Sequence, residues 1–84
     1  MMRILYFASI REALGVSAED LQPPPEIRTV SDLVKWLHGR GAGWAEQLAL
    51  GKRWRVAINQ ELAGLDATVA AGDEIAFFPP VTGG

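Results

Sequence analysis

Hydrophobic and polar positions along this chain change period several times, and each change marks an element. Arg3 to Ala8 (RILYFA) is rich in β-formers and predicts a strand. Alternation sends Arg3, Leu5 and Phe7 to one face and Ile4, Tyr6 and Ala8 to the other, and Arg3 marks its own face as the outer one. Ser9 with Glu12 three places on has the spacing of a capping box and predicts a short helix. Ile10, Ala13 and Leu14 share a face of it, and Gly15 closes it as a left-handed cap. Val16 to Gln22 is weakly patterned and could hold a second strand. Pro23-Pro24-Pro25 then offers no N–H to a ladder and reads as a stiff spacer.

The clearest periodicity follows. Val30, Leu33, Val34 and Leu37 fall at i, i+3, i+4 and i+7, one apolar stripe on a helix. Thr29 is its expected N-cap, Asp32 favours its first turn, and Gly39 and Gly41 end it. His38 lies on the flank of that helix and reads as a surface histidine. Trp44 to Leu50 suggests another short helix, closed by Gly51. Trp36, Trp44 and Trp54 are expected to cover the edges of the core. Arg55 to Gln60 reads as a strand, Asn59-Gln60-Glu61 as a turn, and Leu62-Ala63-Gly64 as a short return strand. Ala70-Ala71-Gly72-Asp73 is a tight turn. Glu74 to Phe78 (EIAFF) is the last strand, stopped by Pro79-Pro80. One mixed sheet on one principal helix makes a two-layer α+β domain. The sequence predicts a single domain over residues 1–84, with 81–84 as a flexible tail.

Composition narrows the chemistry. The 84 residues include no cysteine and one histidine, so disulfides, cysteine nucleophiles and thiolate metal sites are excluded. The net charge is −2, with eight basic and ten acidic residues. A nucleic-acid partner would need a clustered basic surface. The one basic cluster, Lys52, Arg53 and Arg55, reads as an ordinary solvated loop and strand start. The short apolar N-terminal run stops at Arg11 and Glu12, too soon for a membrane span, which points to the cytoplasm. Neither a phosphate-binding loop nor a serine–histidine–acid set can be assembled.

What remains is the terminus. Gly83 and Gly84 carry a carboxylate on a tail without Cβ atoms, able to enter a narrow channel in another enzyme. Val81 to Gly84 spans roughly 14 Å when extended, at about 3.5 Å per residue. Pro79-Pro80 stiffens its root. A carboxylate so delivered can attack the α-phosphate of ATP, giving an acyl-adenylate open to sulfur.

The ending Gly72-Asp73-Glu74-Ile75-Ala76-Phe77-Phe78-Pro79-Pro80-Val81-Thr82-Gly83-Gly84 resembles that of the small subunit of molybdopterin synthase, the MoaD family. Tyr6-Phe7-Ala8 with Arg11-Glu12 and Gly15, and Val56-Ala57-Ile58-Asn59-Gln60, are similar to other segments of that family. The resemblance covers nearly the whole chain and implies a β-grasp, ubiquitin-like fold. It implies a sulfur carrier in molybdenum cofactor biosynthesis. A MoeB-like enzyme would adenylate Gly84 with ATP, a sulfurtransfer system would convert it to a thiocarboxylate, and the carrier would dock on a MoaE-like large subunit in a hetero-tetramer. There its tail would give sulfur to cyclic pyranopterin monophosphate. Gly84 is the implied reactive position, with Gly83, Thr82 and Val81 as the passage. The chain itself would bind no cofactor, and catalytic side chains would belong to the large subunit.

Docking needs a surface. Phe77 with Ile75 is expected under the main helix, leaving Phe78 on the outer face with Phe7; Leu62 could join them, and Arg11 could supply a charged rim. Two other readings stand beside this one: a carrier for thiamine thiazole or another thio-product, and a ubiquitin-like protein modifier or interaction module.

Overall fold

The computed structural model describes residues 1–80. The expected tail, Val81, Thr82, Gly83 and Gly84, lies outside them. The elements are β1 (Met2–Tyr6), α1 (Ala8–Leu14), β2 (Ala18–Leu21), α2 (Val30–His38), α3 (Ala42–Gln47), β3 (Arg55–Ile58), β4 (Glu61–Ala63) and β5 (Glu74–Phe78). The strands form one mixed sheet in the order β2-β1-β5-β3-β4. β5 runs parallel to β1 and antiparallel to β3, and the two edge strands are antiparallel to their neighbours.

The core follows from strand alternation. Met2, Ile4 and Tyr6 of β1, Ile75 and Phe77 of β5 and Val56 of β3 are buried against Val30, Leu33, Val34 and Leu37, the predicted stripe of α2. Phe77 is fully buried: its ring stacks on Tyr6 at a centroid separation of 6.1 Å and meets Trp54 in a T-shaped arrangement at 5.6 Å. Trp36, Trp44 and Trp54 are partly buried around this core, at its margins as expected.

The start of α2 satisfies its backbone donors one by one. Val30 N–H donates to the Ala67 carbonyl and Ser31 N–H to the Leu65 carbonyl. Asp32 N–H donates to Thr29 Oγ1, and the Asp32 carboxylate accepts in return from the N–H groups of Thr29 and Arg28. Thr29 and Asp32 thus form a reciprocal capping box, and the loop before β5 is tied to the helix.

The first strand ends at Tyr6, so Ala8, expected on its core side, is instead an exposed first residue of α1; β3 stops at Ile58 and Glu61 belongs to β4, not to the turn. Two larger differences concern the helices. Ser9 does not cap α1: the N-cap is Phe7, without a side-chain cap, and its carbonyl accepts from Ile10 and Arg11. The Phe7 N–H is held by the Phe77 carbonyl, so the chain stays paired to β5 until Phe7. It enters the helix abruptly through Ala8 at φ 51°, which leaves Ser9 already inside the first turn. Ala13 is consequently exposed, while Ile10 is buried and Leu14 half-buried. Gly15, at φ 73°, closes the helix as predicted.

The second difference is α3, which starts two residues before Trp44 and ends at Gln47, so Gly51 does not close it. Leu48 is fully buried and caps the helix. Side chains take the next carbonyls: His38 Nε2 lies 2.7 Å from the Leu48 oxygen, and Trp54 Nε1–H donates to Ala49 at 2.8 Å. His38 is therefore a half-buried tie between α2 and α3, not a free surface histidine.

Asn59 and Gln60 both have positive φ, 50° and 72°, and join β3 to β4 in a two-residue hairpin whose register pairs Ile58 with Glu61. The turn before β5 is braced through side chains. Asp73 accepts from the Ala70 N–H and the Asn59 amide, and Asn59 Oδ1 accepts from the Glu74 N–H.

Candidate functional site

β5 occupies the middle of the sheet and delivers the chain to Pro79 and Pro80 at one end of the domain. The site is built around that exit.

Residues paired across strands share a face. The outward positions form three rows. The first is polar: Asp20, Arg3 and Glu74, with an Arg3–Asp20 ion pair of 3.3 Å. The second is apolar across all five strands: Ala18, Leu5, Ala76, Ala57 and Leu62. Alanine at both central positions keeps this face flat, and Leu62 at its edge is 73% exposed. The third row lies nearest the exit and pairs Phe78 with Arg55. Phe7 follows in register with Phe78, because β1 pairs Tyr6 with Phe77, and it is 42% exposed.

Of the residues singled out in the sequence, Phe7, Phe78 and Leu62 fall on this outer face. Phe78 is half-buried, whereas Phe77 beside it is in the core. Arg11 is exposed in the last turn of α1 and pairs with no carboxylate among the described residues. Val81, Thr82, Gly83 and Gly84 lie outside the described residues. Strand alternation had already put Leu5 on the outer face, but Ala57 and Ala76 and their row with Leu5 and Leu62 were missed, because cross-strand register is not written in any one segment.

Behind the exit the domain is stiffened by a polar network. Tyr6 is buried, yet its hydroxyl donates to Glu19 Oε2 at 2.8 Å and accepts from Trp44 Nε1–H at 3.1 Å. Glu19 is ion-paired to Arg40, whose guanidinium lies 5.0 Å from the Trp44 ring centre. Burial, chiefly, and the Glu19 carboxylate push the Tyr6 hydroxyl far above its ordinary pKa, so it remains a proton donor.

A five-stranded mixed sheet of this order, covered on one face by a principal helix, defines a ubiquitin-like β-grasp domain. The family model described as ThiS family matches residues 4–84, and the chain belongs to that family. It is 46% identical over 84 residues, covering 100% of both chains, to the molybdopterin synthase sulfur carrier subunit of Haemophilus influenzae. Among solved structures it is similar to SAMP1 from Haloferax volcanii, with TM-score 0.78, 32% identity, and coverage of 99% of this chain and 98% of that one. It is also similar to a chain in the complex of subunits 1 and 2 of the molybdopterin-converting factor from Helicobacter pylori. The TM-score there is 0.66 with 25% identity, covering 99% of this chain and 97% of the other. No helix among the described residues is long and apolar enough to cross a membrane.

Proposed function

We propose that this chain is the sulfur carrier subunit of a molybdopterin synthase and acts in the cytoplasm. One observation carries the reading: the central strand of a ThiS-family β-grasp domain ends in Pro79-Pro80 beside a flat apolar face edged by Phe7, Phe78 and Leu62, and the sequence beyond is Val-Thr-Gly-Gly. The full-length similarity to a molybdopterin synthase sulfur carrier subunit supports it.

In this proposal a carboxylate oxygen of Gly84 attacks the α-phosphorus of ATP on a MoeB-like adenylating enzyme, and pyrophosphate leaves. A sulfur nucleophile then attacks the acyl carbon and AMP leaves, giving a thiocarboxylate. The carrier docks its outer face on a MoaE-like large subunit, in a hetero-tetramer, and Val81, Thr82 and Gly83 pass Gly84 into that subunit's active site. There the thiocarboxylate sulfur bonds to a carbon of cyclic pyranopterin monophosphate in place of an oxygen substituent, and water then cleaves the acyl–sulfur bond, leaving the sulfur on the pterin and returning Gly84 as a carboxylate. Two such transfers make the dithiolene. A large subunit as partner is supported by the similarity to a chain of the two-subunit Helicobacter pylori complex. This chain contributes a docking face and a terminal acyl group, and it binds no cofactor of its own.

The test is reconstitution. The thiocarboxylated chain, mixed with the large subunit and precursor pterin, should yield the dithiolene product and return the carboxylate form. A thiocarboxylated chain that binds the large subunit and retains its sulfur in the presence of precursor would refute the assignment.

The similarity to SAMP1, described for Haloferax volcanii as a small archaeal modifier protein, favours a second reading as a protein modifier. That reading calls for Gly84 joined to lysine side chains of other proteins, which peptide mass mapping would detect as Gly-Gly remnants.

A further inference from the structure

Charge is distributed unevenly around the exit of β5. A hollow of about 140 Å³ beside the root of the tail is walled by Ser9 and Ile10 of α1, Gln47, Lys52, Arg53, Trp54, Pro79 and Pro80. A second hollow of about 170 Å³ involves Lys52, Trp54 and Arg55 on the way to β4. Both contain Trp54, and the charged residues in their walls are all cationic. Lys52, Arg53 and Arg55 are exposed, and among the described residues none of them is in an ion pair. Arg3 and Arg40, by contrast, are neutralised by Asp20 and Glu19. Arg55 also stands opposite Phe78 on the outer face, so the cations run from the rim of the apolar patch to the root of the tail.

The whole chain carries −2. An acidic domain with a local excess of positive charge at one end has a direction: an acidic partner attracts that end and repels the rest. We propose that Lys52, Arg53 and Arg55 form a cationic collar that docks on carboxylates around the mouth of the tail-accepting cleft of the large subunit, orienting the carrier tail-first. The proposal rests on the reading above that this chain docks on such a subunit. Rim charges act chiefly on the rate of encounter and its salt dependence, while buried apolar contacts hold the complex once formed. The collar therefore steers, and Phe7, Phe78 and Leu62 retain.

The test is stopped-flow association of the full chain with the purified large subunit from the same source, at low and high salt. Arg53→Glu and Lys35→Glu change the net charge equally, but Lys35 is an exposed position on the solvent side of α2, outside both hollows. At low salt Arg53→Glu should slow association by about fivefold or more and Lys35→Glu by less than about twofold. The gap should close near 1 M salt, where the Debye length is about 3 Å. Arg53→Ala should fall between wild type and Arg53→Glu, and it serves in place of Arg53→Glu if thermal melting shows the latter to be misfolded. Equal slowing by Arg53→Glu and Lys35→Glu, or slowing by neither, would overturn the collar and leave the carrier assignment standing. Failure of the wild-type chain to associate at any salt would remove both.

Discussion

Tyr6 and Glu19 meet through a 2.8 Å hydrogen bond at the junction of β1, β2 and α3, where the tyrosine hydroxyl also receives the Trp44 indole N–H. Tyr6→Phe keeps the stacking on Phe77 but leaves that indole N–H without its acceptor, while Glu19 retains Arg40. The expected cost is about 1–2 kcal/mol. Thermal or urea unfolding checks it; an unchanged midpoint would show that the network contributes nothing net.

Phe77 and Phe78 are neighbours with opposite fates. Phe77→Ala removes a fully buried ring from between Tyr6 and Trp54 and should cost about 3–5 kcal/mol, enough to unfold much of a domain this small. Phe78→Ala, on the outer face, should cost less than about 1.5 kcal/mol. It should weaken binding to the large subunit by about tenfold or more, read by calorimetric titration. Equal stability losses at the two positions would contradict the assignment of faces.

Asp32 gives a pH signature with a definite sign. N–H groups of Arg28 and Thr29 hold its carboxylate below the ordinary 3.8. A depressed folded-state pKa contributes stability that is fully present above 3.8 and fades as pH falls through the lower folded value. Asp32→Asn should therefore melt below wild type at neutral pH, and the difference should shrink as acid protonates Asp32. A difference constant from pH 7 down to pH 2 would show that the carboxylate charge is not what the capping box uses.

Adding a single alanine after Gly84 should leave the melting temperature unchanged, since the addition follows the end of β5 by several residues. It should abolish sulfur transfer, because the acyl group would then belong to the wrong residue. A tagged or extended chain that still supports dithiolene formation would contradict the role given to Gly84.

The principal helix was legible because Val30, Leu33, Val34 and Leu37 repeat a single period, and Thr29 and Asp32 announce its start. The faces of β1 were legible from its alternation, with Arg3 marking the outer side, although Ala8 proved to lie beyond the strand. α3 was misplaced because its position is set by contacts distant in sequence: Gly43 packs near Leu14, Trp44 reaches Tyr6, and His38 reaches Leu48. Ser9 looked like a cap because the capping pattern is local, whereas the pairing of Phe7 with Phe77 that pre-empts it is not. The weak second strand is real: Ala18–Leu21 pairs with β1, but as an edge strand with polar Glu19 and Asp20 it carries a faint pattern. At the site, single residues were visible in the sequence, while the row through Leu5, Ala76, Ala57 and Leu62 required the register.

The central claim is that Gly84 carries sulfur, and the intact mass of the protein tests it most directly. After incubation with ATP, the adenylating enzyme and a sulfur source, the chain should gain the mass of one oxygen replaced by sulfur, and a chain lacking Gly84 should not. An unchanged mass, with the same enzyme shown to be active on another carrier, would contradict the account and leave the Gly-Gly end as a modifier tail or inert, with the interaction-module reading in front.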